Sequence, residues 1–145
     1  MSYAADRICC DADSHIMETF DWLRSYADPD TRETLPPLNL GGAGKAAEKA
    51  IARAQAARLD PAIVAEQRAN IIGGAKGWAA YGAFDSGDRR RALDDLGFKK
   101  QLVFSTFAST QFLSAKDAKL KYGGARAHNR AMGDFCKGDA RLMGI

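Results

Sequence analysis

A short run near the amino end of the chain carries the groups best suited to metal chemistry. Asp11, Asp13 and His15 alternate along the segment Asp11-Ala12-Asp13-Ser14-His15. Alternate side chains of a β-strand share one face, so a strand through this segment predicts that the three converge. Carboxylate oxygen and imidazole nitrogen are suitable ligands for zinc, manganese or iron. The spacing of Asp13 and His15 is therefore compatible with shared binding of one divalent cation.

The same run also has a purely structural interpretation. Acidic and hydroxyl side chains after a strand often cap the helix that follows, and the spacing alone leaves both interpretations open. Glu18 could accept a hydrogen bond beside a metal ligand or favour a helix N-terminus. Asp11 is a candidate for an outer position or for substrate contact. The sequence assigns no catalytic acid or base.

The elements that would position this run begin with a short buried strand over residues 7–11, in which Ile8, Cys9 and Cys10 are apolar. A helix is predicted over residues 18–27. Good helix formers continue from Ala43 to Leu59 and, after a capping Asp60-Pro61, to about residue 74. Because this stretch has few large apolar residues, we expect a peripheral helical insertion at about residues 40–75.

The second half of the chain alternates between strands and helices. Asp85-Ser86-Gly87-Asp88 is a helix start signal, and Gly97 is typical of a helix end. A strand over 101–107, a helix over 124–136 and a strand opening at 141–145 follow. This order predicts a parallel α/β fold. Two to three parallel strands cannot close a barrel or complete a doubly wound sheet, and a complete barrel needs about 250 residues, so we expect residues 1–145 to be a helix-rich, incomplete part of such an architecture.

Composition excludes several classes of protein. The net charge is +3 in 145 residues, which is too small and too dispersed for a nucleic-acid partner. The three cysteines form no zinc-finger pattern, and Cys9 and Cys10 are expected to be inert core thiols. No apolar run reaches the roughly 18 residues of a membrane span, and residues 1–8 lack a signal-peptide core. We therefore expect a cytoplasmic protein that does not bind a membrane.

Four stretches resemble the amidohydrolase-related family, which includes metal-dependent hydrolases and decarboxylases. The segment from Asp11 to Leu23 resembles the family's opening, a strand that ends in D-x-D-x-H-x-x-E or a variant. The other three follow in the family's order and cover most of the chain outside the insertion: residues 82–89 with 93–97, residues 101–106, and residues 125–135 continuing to 139–142.

The resemblance implies that residues 1–145 form the incomplete N-terminal part of a single TIM-like (β/α)8 barrel domain. The first strand of that barrel supplies two metal ligands, here Asp13 and His15. The cofactor would be zinc, or alternatively manganese, and the substrate a small molecule. The metal would activate water toward a carbonyl-type carbon or bind a carboxylate that loses CO2. Asp13 departs from the widespread His-x-His form, and acidic replacements occur in the decarboxylase-like branch. The family's remaining ligands are expected beyond Ile145.

Two alternatives stay open. The chain could be a catalytically inactive remnant, since two protein ligands are fewer than catalytic sites use; the edge of residues 102–106 and the inner sheet face would then be exposed. It could also be a small α/β binding module without metal. His128, within a helical pattern, is expected to be a surface or helix-packing residue. The sequence leaves homo-oligomer formation open.

Overall fold

The chain forms an α/β structure, seen here in a computed structural model that describes Ala4 and residues 7–41 and 44–145. Three strands lie among helices of very different length. In chain order the elements are β1 (Cys9–Ile16), α1 (Trp22–Tyr26), α2 (Pro29–Arg32), α3 (Gly44–Ala57), α4 (Pro61–Ala69), a 3-10 turn (Gly77–Ala79), α5 (Ser86–Leu96), β2 (Phe98–Ser105), α6 (Ala108–Leu113), α7 (Ala118–Cys136) and β3 (Leu142–Gly144).

The strands form one parallel sheet in the order β1-β2-β3. Cys9 pairs with Phe98 and Ile16 with Ser105, while Gln101 pairs with Leu142. The parallel α/β class is therefore confirmed. The expected exposed edge at residues 102–106 is wrong for Leu102 and Val103, which pair with β3 on that side. The recorded pairing of Phe104 and Ser105 is with β1 alone.

Local signals place several helix ends where the sequence predicts them. The Asp60 carboxylate accepts hydrogen bonds from the amides of Ala62 and Ile63, and the Asp85 carboxylate accepts one from Asp88. Gly97 ends α5 with φ of 78°, in the left-handed region that glycine tolerates best. These caps satisfy backbone groups that a helix end leaves unpaired.

Other boundaries differ from the prediction. β1 continues to Ile16, well past the predicted end at Asp11, and α1 begins at Trp22 rather than Glu18. β2 lies three residues earlier at its start than expected, and α7 begins at Ala118 because the Asp117 carboxylate caps it through the amide of Leu120. The predicted helix start at Ala43 lies outside the described residues.

The helical segment at residues 40–75 is only partly peripheral. α4 has no buried residue, as expected. In α3, by contrast, Ala47 and Ile51 belong to the main hydrophobic cluster, and Leu40 before it is buried as well. This half of the expectation needs correction: small alanines let the helix approach the core closely, so the scarcity of large apolar residues did not indicate a surface position.

The two faces of the sheet differ in cover. α5 and α7 lie on the face that carries the buried residues Gln101, Val103 and Leu142. The opposite face, which we call the open face, carries His15, Leu102, Phe104 and Met143, all at least partly exposed. Cys10 is exposed and Cys9 half-buried, so the expectation that both are core thiols is wrong.

No helix among the described residues is both long enough and apolar enough to cross a membrane.

Candidate metal centre

Asp13 and His15 lie side by side near the carboxyl end of β1. The Nδ1 atom of His15 is 3.9 Å from Oδ1 of Asp13, and the side chains are 46% and 91% exposed respectively. The imidazole ring lies against Phe104 of the adjacent strand, with ring centroids 5.8 Å apart. Contact with Phe104 thus orients the imidazole ring. The ring edge and the Asp13 carboxylate remain open to solvent.

Asp11 does not join this pair. The register of β1 against β2 slips between Asp11 and Ser14, where three residues of β1 oppose two of β2. Such a bulge reverses the alternation of side chains that follows it. The Asp11 carboxylate therefore accepts hydrogen bonds from the Asp13 amide at 3.0 Å and from Nε2 of Gln101 at 2.9 Å. The prediction that Asp11, Asp13 and His15 converge on one face is wrong for Asp11.

A buried arginine holds the other side of the same strand end. Arg89 of α5 is 8% exposed, and its guanidinium lies 5.7 Å from the ring centroid of Phe135. Arginine has five N–H donors, and five acceptors surround it: the Gly82 carbonyl, the Ser14 hydroxyl, the Gln101 amide oxygen, and the carbonyls of His15 and Ala83.

The charge of Arg89 is balanced by the Asp11 carboxylate, which is linked to it through the Gln101 side chain and not by direct contact. Oε1 of Gln101 accepts from Arg89 at 3.1 Å, while Nε2 of Gln101 donates to Asp11 at 2.9 Å. Burial lowers the pKa of Arg89 to about 10, against the opposing effect of the Asp11 carboxylate. The guanidinium therefore stays charged at neutral pH. We call Asp11, Ser14, Arg89 and Gln101 the polar clamp.

The hydrogen bonds of the Glu18 side chain are made with the end of β2 and the start of α6. This side chain is fully buried, and its carboxylate accepts hydrogen bonds from the Ser105 hydroxyl at 2.6 Å and from the amides that open α6. Negative charge at this point is favourable because the first amides of a helix lack backbone acceptors. Of the two roles that the sequence left open, the helix-terminus role is found, on α6 rather than on the helix next in sequence.

His128 is a buried helix-packing residue, one of the two roles expected of it. The Trp22 indole donates to its Nδ1 atom at 3.4 Å, and the Phe112 ring lies 5.6 Å away. Burial lowers the pKa of His128, although the Glu18 charge and a hydrogen bond with the Ile145 backbone act in the opposite direction. His128 joins α7 to α1 and to the end of β3, and it does not approach the Asp13–His15 pair in any recorded contact.

A cleft of about 440 Å³ runs along the free edge of β1. Both candidate ligands line it together with residues of the segment that follows α4. Lys76 and Tyr81 supply polar groups to this wall, and Met17, Ile71 and Leu96 supply apolar surface. The cleft is large enough for a small molecule and reaches the two residues that could hold a metal.

The donor chemistry fits one divalent cation only in part. Two donors each about 2.1 Å from one ion lie within about 4.2 Å of each other, so the observed 3.9 Å separation is compatible with shared coordination. No group of three or more His, Cys, Asp or Glu side chains within the described part of the chain could hold a metal. Among the described residues, Asp13 and His15 are thus two neighbouring donors without a third His, Cys, Asp or Glu side chain grouped with them.

Sequence reasoning missed the residues that hold the strand segment around Asp13 and His15. Arg89 lies within one of the family-like stretches, but its burial gave no local signal. Gln101 offered one: it is a polar residue at a position that the alternation of β2 places on the same, buried face as Val103. A buried amide needs partners on both its oxygen and its nitrogen, which here are Arg89 and Asp11.

Comparison of the chain with protein-family models, with characterised proteins and with solved structures finds no match.

Proposed function

We propose that this chain carries the first metal arm of a divalent-metal-dependent enzyme of the amidohydrolase type, a hydrolase or decarboxylase that acts on a small carbonyl or carboxylate compound in the cytoplasm. The observation that carries the proposal is the pairing of Asp13 with His15, 3.9 Å apart and exposed at the carboxyl end of a parallel strand. Active sites of parallel α/β folds lie at that end of the strands. Zinc is the proposed metal, with manganese as the alternative.

Asp13 and His15 would hold the metal through one carboxylate oxygen and one imidazole nitrogen. The bound ion would supply Lewis-acid chemistry, by lowering the pKa of water or by polarising a substrate oxygen. The contact of His15 with Phe104 limits rotation of the imidazole, and the cleft beside β1 gives a small substrate access to the pair. Two protein ligands leave further positions to solvent, substrate or groups outside the described residues.

Metal titration of the purified chain tests the proposal. The chain contains two histidines, so ring NMR signals report on each separately. Paramagnetic Mn²⁺ is expected to broaden the His15 ring signals first and to spare the buried His128. Calorimetry should give a Zn²⁺ heat that is lost in the double variant Asp13→Asn/His15→Gln. Asp30→Asn, which removes an exposed carboxylate from α2, is the matched control and should retain it.

Equal Zn²⁺ binding by the double variant and the wild-type chain would refute the metal assignment. Folded protein in which Mn²⁺ broadens neither histidine would also count against it and would favour the alternative of a non-enzymatic α/β binding module. Hydrolysis and decarboxylation would be separated by assaying small carbonyl and carboxylate compounds for CO2 release in the presence of Zn²⁺.

A further inference from the structure

Arg89 occupies an unusual position for a charged side chain. It is 8% exposed, yet none of its five hydrogen bonds goes to a carboxylate. A buried cation is costly unless its hydrogen bonds are complete and its charge is balanced. Here the bonds are complete, and the balancing charge of Asp11 acts through Gln101. Such an arrangement indicates that the guanidinium holds several chain segments in fixed relation.

Two of the five acceptors belong to Ser14 and His15, in the segment that carries the two candidate ligands. Nη1 of Arg89 donates to the Ser14 hydroxyl at 2.6 Å, and Nη2 donates to the His15 carbonyl at 2.8 Å. Ser14 lies between the two candidate ligands in sequence, and its side chain points to the helix-covered face, where Arg89 binds it. The side chains of Asp13 and His15 are left on the exposed side. Each of these bonds fixes the backbone from which a candidate ligand projects.

The bulge gives these bonds their importance. Between Asp11 and Ser14 the strand carries an extra residue, and a slip of one residue would move every following side chain to the opposite face. Asp11 accepts from the Asp13 amide on one side of the bulge, and Arg89 holds Ser14 and His15 on the other. The polar clamp therefore makes hydrogen bonds on both sides of the bulge and fixes the register of β1 against β2 there.

We infer that Arg89 is a positioning residue for the metal arm: it locks the bulged end of β1 so that Asp13 and His15 share the exposed side of the strand. The metal readout of this inference rests on the proposed function, whereas its conformational readout does not. A guanidinium is needed because lysine, with one ammonium group, cannot reach acceptors on β1, on β2 and on the loop before α5 at once.

The test compares Arg89→Lys with Arg90→Lys. Both variants keep the charge and alter the same helix, and Arg90 is only half-buried, with a hydrogen bond to the Gly138 carbonyl. In Arg89→Lys, amide hydrogen exchange at residues 14–16 should rise at least tenfold more than exchange at Val103 in the central strand. Arg90→Lys should leave this ratio unchanged. Ser14→Ala, which removes one acceptor, should raise it by a smaller factor and is used if Arg89→Lys does not fold.

Mn²⁺ affinity, measured by broadening of the His15 ring in samples shown to be folded by circular dichroism, supplies the second readout. Loss of a residue that orients metal ligands typically weakens metal binding about tenfold or more, and we expect that loss for Arg89→Lys alone. A residue with a merely structural role would lower the melting temperature without changing the affinity of the folded fraction.

The outcomes separate the two proposals. If wild-type protein does not bind Mn²⁺ but exchange at residues 14–16 rises selectively in Arg89→Lys, the proposed function fails and the positioning of the strand end stands. If exchange rises uniformly along the chain or not at all, the inference on Arg89 is overturned, whatever the metal result. Unchanged Mn²⁺ affinity in a folded Arg89→Lys protein that binds the ion would overturn it as well.

Discussion

Replacement of Glu18 by glutamine changes one atom of a fully buried side chain and gives a direct test of how the sheet is tied together. The carboxylate accepts hydrogen bonds from the Ser105 hydroxyl and from the amides of Thr106, Phe107 and Ala108. In Glu18→Gln one oxygen becomes an NH2 group, which faces these donors and can accept from none of them. The end of β1 then loses part of its connection to β2 and α6.

The magnitude follows from the number of bonds. A hydrogen bond to a charged group contributes about 1.5–3 kcal/mol, so loss of two such bonds predicts a decrease of about 3–6 kcal/mol in the free energy of unfolding. Whole domains are stable by only about 5–15 kcal/mol, and the variant should therefore be strongly destabilised. Ser105→Ala removes a single donor from the same carboxylate and should cost about 1.5–3 kcal/mol.

Urea unfolding followed by tryptophan fluorescence measures these changes. Trp78 is a suitable reporter because its indole donates to the Glu18 carbonyl at 3.1 Å. Glu66→Gln, at an exposed position of α4, is the control and should change stability by less than about 0.5 kcal/mol. A decrease below about 1 kcal/mol for Glu18→Gln, with an unchanged dependence on urea, would refute the assigned role of the carboxylate.

Two further predictions concern α7. A Cβ atom at Gly124 would lie 2.6 Å from the Cβ atom of Phe112, whereas one at Gly133 meets nothing within 4 Å. Calorimetric melting should therefore show Gly124→Ala destabilised by about 1–3 kcal/mol and Gly133→Ala stabilised by up to about 1 kcal/mol. Equal effects of the two substitutions would contradict the packing. Burial lowers the pKa of His128 in the folded state, so the histidine of the unfolded chain binds a proton first as the pH falls. The stability that the neutral ring contributes is therefore complete above the pKa of the unfolded state, near 6.5. It is lost as the pH falls toward the lower pKa of the folded state. Urea unfolding at pH 7.5 and 5.5 should give a smaller pH dependence for His128→Gln than for the wild-type chain, and an unchanged dependence would exclude this contribution.

The parts of the fold that were predictable are those specified by local chemistry. Asp60 and Asp85 cap helices through their own neighbouring amides, and Gly97 supplies a positive φ at a helix end. β2 was recognisable because its central residues are β-branched, aromatic or long and apolar. Each of these signals acts over a few residues, so it can be interpreted without knowledge of the tertiary structure.

The predictions that were wrong or incomplete concern features that depend on contacts between segments far apart in the sequence. Glu18 caps α6, about ninety residues away in sequence, so no pattern around Glu18 could identify the helix that it serves. The exposure of Cys10 follows from a sheet covered by helices on one face, which an apolar strand pattern does not reveal. α3 reaches the core through Ala47 and Ile51, and the sequence alone did not separate this approach from a surface helix.

The proximity of Asp13 and His15 was predictable from the sequence, whereas the geometry of the segment around them was not, and their role as metal ligands stays a prediction. Residue types and spacing singled out Asp13 and His15, and the structure places them together at 3.9 Å. The role of Asp11 could not be obtained from regular alternation, because the strand carries a bulge between Asp11 and Ser14. The bulge is stabilised by Gln101 and Arg89 from other elements, and that stabilisation is a tertiary effect.

The polar clamp has a consequence for how this sequence can evolve. An apolar residue at position 89 would leave Gln101 with an unpaired buried oxygen, and it would leave Asp11 without the positive charge that balances it. Loss of Asp11 would in turn leave the buried guanidinium of Arg89 without a balancing negative charge. Single substitutions within the set are therefore expected to be purged, while joint replacement by a smaller apolar set could be tolerated. In a double-mutant cycle the effects of Arg89→Met and Asp11→Ala should be strongly non-additive, and in related chains these positions should change together or not at all.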